Sequence, residues 1–320
     1  MSTVSTRNTM RKCMGIDDKD LKSNDTVSVI VLTYGDYTHL EKTVESVLKQ
    51  TASVVQIILS DDGSRVPFPL PIVQRLQQET NVDIILRQGK ENVGTVMHMN
   101  ETAALCFGKY IKFIASGDMF AEKDSLMALV AFADIQNALA VTSHEYVVSK
   151  DLKKIYYVFP GKRGKNTLSK VGTELFCGLA KKNFVSASGT LYQRRFFTEF
   201  GGFHETYRLL EDWPTWLWLS RSGKAIPLLD KVTCLHSIGG NSSSCGDAHG
   251  SEVLHSDMKK CYEIEILPYR QLLSAGAWKQ ICFDYDRLQN IADLVLWKRY
   301  FFKQTFIKMK RMIKKVVFSR

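Results

Sequence analysis

The feature that most constrains this chain is an alternation of short apolar runs and helical patterns from Val27 to Val141. Val27–Leu32 is a mostly apolar run of the kind found in a buried parallel strand. The loop Thr33-Tyr34-Gly35-Asp36-Tyr37 follows, then Thr38 and Glu41 at the spacing of a capping box, with Leu40, Val44, Val47 and Leu48 on one helical face. Val54–Leu59 reads as a second strand ending in Ser60-Asp61-Asp62-Gly63-Ser64, and Val82–Leu86 as a third. Val96, Met99, Ala103 and Phe107 share a helical face, and Tyr110–Ile114 reads as a strand running into Ala115-Ser116-Gly117-Asp118. Leu126–Phe132 is helical in pattern and Ala138–Val141 extended. Such alternation predicts an α/β, Rossmann-like domain with a mostly parallel sheet covered on both faces, which binds ligands at the carboxyl ends of its strands. Both acidic loops fall at such ends.

Beyond this region the pattern weakens. Lys150–Lys182 is polar and rich in Lys and Gly, and reads as a loop region. Pro214 after an acidic pair suits a helix start, and from about Ser251 the chain is helical in pattern. With 320 residues, 45% of them hydrophobic, the chain can bury one large core and carry a smaller helical appendage. The expected division is an extension over 1–25, an α/β domain over 26–250 and a helical region over 251–320. The seven cysteines form no C-x-x-C pair, which points to reduced thiols in a cytosolic compartment and away from a zinc cluster. Residues 1–25 show no apolar run of a secretion signal, and no stretch approaches the roughly 20 apolar residues of a membrane span.

Four constellations can carry chemistry. Asp61-Asp62-Gly63-Ser64 can present a carboxylate to a base or ribose; the alternative is a solvated turn. Asp118 can hold a divalent cation that bridges phosphates, or else cap a helix. In Glu211-Asp212-Trp213 the paired carboxylates repel, which can raise one pKa and supply a general base; the alternative is a charged helix start. His236, followed by a Gly- and Ser-rich stretch, can be a metal ligand or a phosphate contact, or a structural histidine.

Taken in order, Tyr34, Asp61-Asp62-Gly-Ser, Asn92-x-Gly94, Gly117-Asp118, Gly201-Gly202-Phe203, Glu211-Asp212-Trp213 and His236 resemble the family-2 glycosyltransferases of the GT-A fold, over about Val27 to Ser244. The resemblance implies a GT-A domain with a mostly parallel central sheet, here with a C-terminal helical extension. It implies that Tyr34 stacks on a nucleotide base in a pocket lined by Thr33. Asp62, beside Asp61, would contact uracil, and Asn92 and Gly94 would belong to the same donor site. Asp118 would hold a Mn2+ or Mg2+ ion on the donor diphosphate, with His236 beside it, and Asp212, paired with Glu211, would be the general base. Trp213 and Gly189 would border the acceptor. The implied reaction moves one sugar, with inversion, from a nucleotide-sugar of UDP type to a glycan or lipid-linked acceptor in surface polysaccharide biosynthesis. This chain departs from the family pattern at Ala115-Ser116-Gly117-Asp118, where only the last acid remains, so a nucleotide-sugar binding protein without turnover is the competing reading.

The net charge of +10 is concentrated: nine Lys and Arg residues follow Asp293 with no acid among them, and 10 − 9 leaves about +1 for the rest. Phe302, Phe306, Met309, Ile313 and Val316 give that basic tail an apolar stripe. An anionic membrane surface is the expected partner, which places the protein on the inner face of the cytoplasmic membrane. Packing on the protein's own core and a nucleic-acid-binding module are the other readings, and no nucleic-acid motif accompanies the tail.

Overall fold

The computed structural model describes residues 26–238 and 248–289. The basic tail, and the expectation that it docks on a membrane, lie outside them, as do residues 1–25. Chain contacts group the described residues into two compact units that are discontinuous in sequence, whereas the linear division above places 26–250 together. A sheet unit comprises residues 26–159, Ser186–Gly202 and Pro227–Ile238. A helical unit comprises Pro160–Val185, Phe203–Ile226 and the C-terminal residues from 248 onward.

The sheet unit opens with β1 (Val27–Thr33), α1 (Leu40–Leu48), β2 (Val54–Asp61), α2 (Leu70–Glu79), β3 (Asp83–Gln88), α3 (Thr95–Ala103) and β4 (Tyr110–Ala115). Then come β5 (Met119–Phe120), α4 (Ser125–Gln136), β6 (Ala140–Val148) and β7 (Ile155–Phe159), and later β8 (Leu191–Gln193), α7 (Arg195–Thr198) and β9 (Leu228–Ser237). The strands form one sheet in the order β3-β2-β1-β4-β8-β6-β9-β5, with β7 added on β6. The β3-β2-β1-β4 half is parallel throughout, as the alternation predicts. The other half mixes the parallel β6·β9 pair with antiparallel β4·β8, β6·β8, β6·β7 and β5·β9 pairs. Val27, Val29, Ile30 and Val31 of β1 and Ile57, Ile58 and Leu59 of β2 are fully buried. Strands covered on both faces lose the polar alternation of a half-exposed sheet, which is why they read as continuous apolar runs.

Two local expectations are corrected here. Thr38 and Glu41 do not form a capping box: α1 begins after His39 without a side-chain cap, and both the Thr38 N–H (2.8 Å) and its hydroxyl donate to the Asp36 carboxylate. A short acidic side chain two residues back captures the donors first. Lys150–Lys182 is not a loop region but contains β7, α5 (Lys162–Leu168) and α6 (Gly172–Leu179).

The helical unit is built from α5, α6, α8 (Asp212–Arg221), α9 (Ala248–Cys261), a π turn at Tyr262–Ile266, a 3-10 turn at Leu267–Leu272 and α10 (Ala275–Leu288). Leu175, Phe176, Leu179, Trp216, Leu217, Ile266 and Ile281 are fully buried within it. Buried polar side chains tie its segments together. The Asp257 carboxylate accepts the Arg208 and Leu209 N–H groups, each at 2.7 Å. Arg221 pairs with Glu265 and stacks 4.0 Å above the Tyr269 ring. Among the described residues, no helix is long and apolar enough to cross a membrane.

Candidate active site

The register of the parallel strands gathers the acidic loops. Thr33 pairs with Asp61 and Leu32 with Ala115, so β1, β2 and β4 end together and their following loops leave from one edge of the sheet. Thr33 is buried, and its hydroxyl donates to the Ser60 carbonyl (3.1 Å) and to Asp61 (3.2 Å). Tyr34, one residue on, is 43% exposed at the mouth of that edge.

Asp61 is 2% exposed and accepts from the Tyr37 hydroxyl (2.9 Å), the Ser64 N–H (2.8 Å) and the Ser64 hydroxyl. The Ser64 oxygen in turn accepts the Gly35 N–H at 2.7 Å, which clasps the two loops. Gly63 makes this turn possible: its φ is +68°, and a Cβ there would lie 2.3 Å from the Glu91 carbonyl carbon. Asp62 corrects the simplest expectation. Its carboxylate is 4% exposed, and one oxygen accepts the Val93 N–H and the other the Gly94 N–H, each at 3.0 Å. Asp62 therefore fastens the Asn92-Val93-Gly94 loop and the start of α3, where unpaired N–H groups collect. Its reach toward a base is limited to the lone pairs these bonds leave over. Behind the loop, His98 Nε2 lies 2.6 Å from the Ser60 hydroxyl, and burial lowers its pKa to about 4, so the ring is neutral.

Asp118 is brought to His236 by the β5·β9 pairing, in which Met119 sits opposite Leu235. The Asp118 carboxylate is 4% exposed; it accepts the Ser237 N–H at 2.9 Å and lies 3.1 Å from His236 Nδ1. Thr43 of α1 brackets the turn from below, donating to the Asp118 carbonyl (2.9 Å) and accepting the Gly117 N–H (3.0 Å). Burial alone would lower the His236 pKa. The Asp118 hydrogen bond and charge, with the Glu145 charge, outweigh it and raise the value to about 9. Asp118 and His236, expected to ligate a cation together, instead form an ion pair with each other. No group of three or more Asp, Glu, His or Cys side chains able to hold a metal occurs among the described residues.

Beneath Asp118 lies a polar layer that no motif marks. Lys112 of β4 is fully buried and donates to the Phe113 carbonyl (2.8 Å) and to the Ser188 carbonyl. Glu145 of β6 accepts the Ser186 and Ser188 hydroxyls. Gly189, expected at an acceptor, is buried in the same layer: its N–H donates to the Ser186 hydroxyl (2.8 Å), and a Cβ would lie 2.9 Å from the Ser143 carbonyl. Its place is structural, since only a residue without a side chain fits so close to Ser143.

In the helical unit, Glu211 precedes α8 and Asp212 is its first residue. Asp212 accepts the Asn183 amide (2.6 Å) and the Trp213 N–H (2.6 Å), which aims its carboxylate. Burial first, and the adjacent Asp212 charge second, push the Glu211 carboxyl up to about 8, so the pair carries a single negative charge near neutrality. Trp213, expected to border the acceptor, is 6% exposed. Its indole N–H donates to the Leu179 carbonyl at 2.9 Å, and its ring meets Tyr262 edge-on at 5.5 Å. An indole with its one polar atom satisfied and its rings packed is a core residue.

The family model described as "Glycosyl transferase family 2" matches residues 28–201. The chain is 25% identical over 257 residues to the uncharacterized glycosyltransferase EpsJ of Bacillus subtilis (strain 168), covering 79% of this chain and 72% of that protein. Its fold is similar to that of S. aureus TarS residues 1–349 in complex with UDP, with a TM-score of 0.52 at 15% identity over 82% of this chain and 80% of that one. It is also similar to that of the mannosyltransferase PcManGT of Pyrobaculum calidifontis in complex with GDP-Man and Mn2+, with a TM-score of 0.53 at 15% identity over 85% and 72% of the two chains.

Proposed function

The chain belongs to glycosyl transferase family 2 and is a sugar-transferring enzyme, and on that premise we propose that it moves one sugar, with inversion, from a UDP-sugar to a hydroxyl of a glycan or lipid-linked acceptor in surface polysaccharide assembly. The observation that carries the reading is the convergence of Thr33, Tyr34, Asp61 and Asp118 on the edge where β1, β2 and β4 end. Ligands of open α/β sheets bind on that edge. The nucleotides found with structural relatives, UDP in one and GDP-Man in another, support a nucleoside diphosphate there.

The chemistry follows from the groups present. Tyr34 offers an exposed ring to a base, and the clasped Thr33–Asp61–Ser64 loops give the ribose and base a rigid wall. As the bond from the anomeric carbon to the diphosphate oxygen breaks, negative charge develops on the leaving group. A preorganised donor lowers that cost without having to reorient. His236 supplies one: Nδ1 is engaged by Asp118, and Nε2 has no partner among the described residues. Asp212 takes the proton of the acceptor hydroxyl, whose oxygen forms the new glycosidic bond. Protonated Glu211 beside it leaves Asp212 as the ionised member of the pair. The nine basic residues between 298 and 320 hold the enzyme at an anionic membrane surface where lipid-linked acceptors reside.

Incubation of the full chain with UDP-sugars and GDP-sugars, each with and without manganese, tests this reading. The expected result is release of UDP with an acceptor-dependent increase, and a product of opposite anomeric configuration by NMR. Retention of configuration, or nucleotide binding with no transfer to any phosphorylated or neutral glycan acceptor, would overturn it. Deletion after Asp293 is expected to abolish sedimentation with anionic vesicles while leaving UDP binding intact.

A further inference from the structure

The segment with least sequence pattern carries the most distinctive surface of the helical unit. α5 and α6 approach so closely that a Cβ on Gly178 would lie 2.4 Å from the Thr167 methyl carbon. Above that contact lies a shallow cavity of about 650 Å3, open to solvent over most of its extent. Its walls carry Lys162, Arg163, Lys170 and Lys181, with Glu174 as the one carboxylate. Four cations less one anion leave +3. Glu174 lies 3.5 Å from Lys170, one turn away, and so neutralises a cation already counted. Among the described residues no carboxylate pairs with Lys162, Arg163 or Lys181. The Arg163 guanidinium is held 5.8 Å from the Phe184 ring, so its fork is partly preordered. Exposed cations gathered around one cavity favour an anion of more than one charge there. An Arg fork flanked by lysines matches a phosphodiester or diphosphate.

The cavity is also tied to the candidate base. The residues that end α6 and follow it alternate in duty. Leu179 holds the Trp213 indole, Lys181 lines the cavity, and Asn183 holds Asp212. One short segment thus links an anion site to the carboxylate that would deprotonate the acceptor.

We propose that the α5–α6 cavity binds a phosphate group of the acceptor, a phosphodiester or diphosphate, and so selects phosphate-bearing acceptors for presentation to Asp212. This rests on the transferase reading above and adds a substrate class to it.

The test uses the full chain with UDP at saturation, so that the nucleotide site is filled. It is titrated with oligo(glycerol phosphate), with polyprenyl diphosphate in phosphatidylcholine vesicles, with the same vesicles lacking that lipid, and with a neutral glucan oligosaccharide. Arg163→Glu and Lys181→Glu are compared with wild type and with Lys49→Glu, a charge-matched change at an exposed residue following α1. The expected result is binding of a phosphate-bearing probe that weakens by at least about tenfold in both cavity variants and is unchanged in Lys49→Glu. Binding of the soluble probe identifies a phosphodiester, and binding only of the vesicle-held diphosphate identifies a lipid carrier. The UDP-induced rise in Tm is read in every variant. Its absence in wild type counts against the donor site. Its presence with no phosphate probe bound, or with cavity variants that bind as wild type does, overturns the cavity assignment.

Discussion

The two units use carboxylates in opposite ways. In the sheet unit, Asp61, Asp62 and Asp118 are nearly inaccessible, and each is saturated by donors from its own or an adjacent loop. They act as rivets: each holds a strand-end loop in the shape that a nucleotide would meet. In the helical unit, Glu211 and Asp212 sit side by side, and the conflict between them is not removed but partitioned, with Glu211 holding its proton up to about pH 8. Riveted carboxylates suit a binding surface, whereas a strained pair suits the proposed base. Removing a rivet should therefore cost stability and donor affinity, while removing the base should cost turnover alone.

The largest effect is expected at the base. Asp212→Ala should lower kcat by about a hundredfold to ten-thousandfold, the usual worth of general base catalysis, with UDP affinity unchanged. Steady-state kinetics beside a UDP titration separate the two, and a variant that loses UDP binding would erase the distinction between the units. Next comes the buried ion pair that braces the helical unit. Glu265→Ala leaves the Arg221 guanidinium buried with one charged partner removed, and should cost about 3–5 kcal/mol in denaturant unfolding. A rivet is worth less. Asp62→Ala strands the Val93 and Gly94 N–H groups and should cost about 1–3 kcal/mol, read as a lower Tm together with weaker UDP binding.

A further effect has a defined sign. Glu211 titrates near 8 in the fold against an ordinary 4.5, so between those values the folded chain holds a proton that the unfolded chain has lost. Stability from this group is therefore lost as pH rises through that window. Glu211→Gln removes the dependence, so its Tm should fall less than that of wild type between pH 5 and 8. An equal fall in both proteins would place Glu211 outside the strained pair.

The same contrast explains what could be read before the fold was seen. β1, β2 and β4 were legible because strands buried on both faces are apolar along most of their length. The loops after them were legible because Asp-Gly turns mark strand ends. The partners of the acids were only half legible. Ser64 and Tyr37 lay within the quoted motifs, but nothing in the sequence paired Asp118 with His236, because the strand that joins them, β5, is two residues long. The helical unit was poorly legible for a geometric reason. α5 and α6 have seven and eight residues, too few to display a helical period. In the sheet unit, β7 is exposed at Ile155, Tyr156, Tyr157 and Val158 alike, so it shows no alternation either. Asn183, which aims Asp212 from 29 residues away, left no signal at all.

Calorimetric titration of UDP into wild type, Asp118→Ala and Asp212→Ala tests the central claim most directly. The account predicts equal affinity for wild type and Asp212→Ala, and an affinity weakened by at least about tenfold in Asp118→Ala, where His236 loses its anchor. No binding of UDP to wild type, or equal binding by Asp118→Ala, would contradict the assignment of the strand-end loops to the nucleotide-sugar donor.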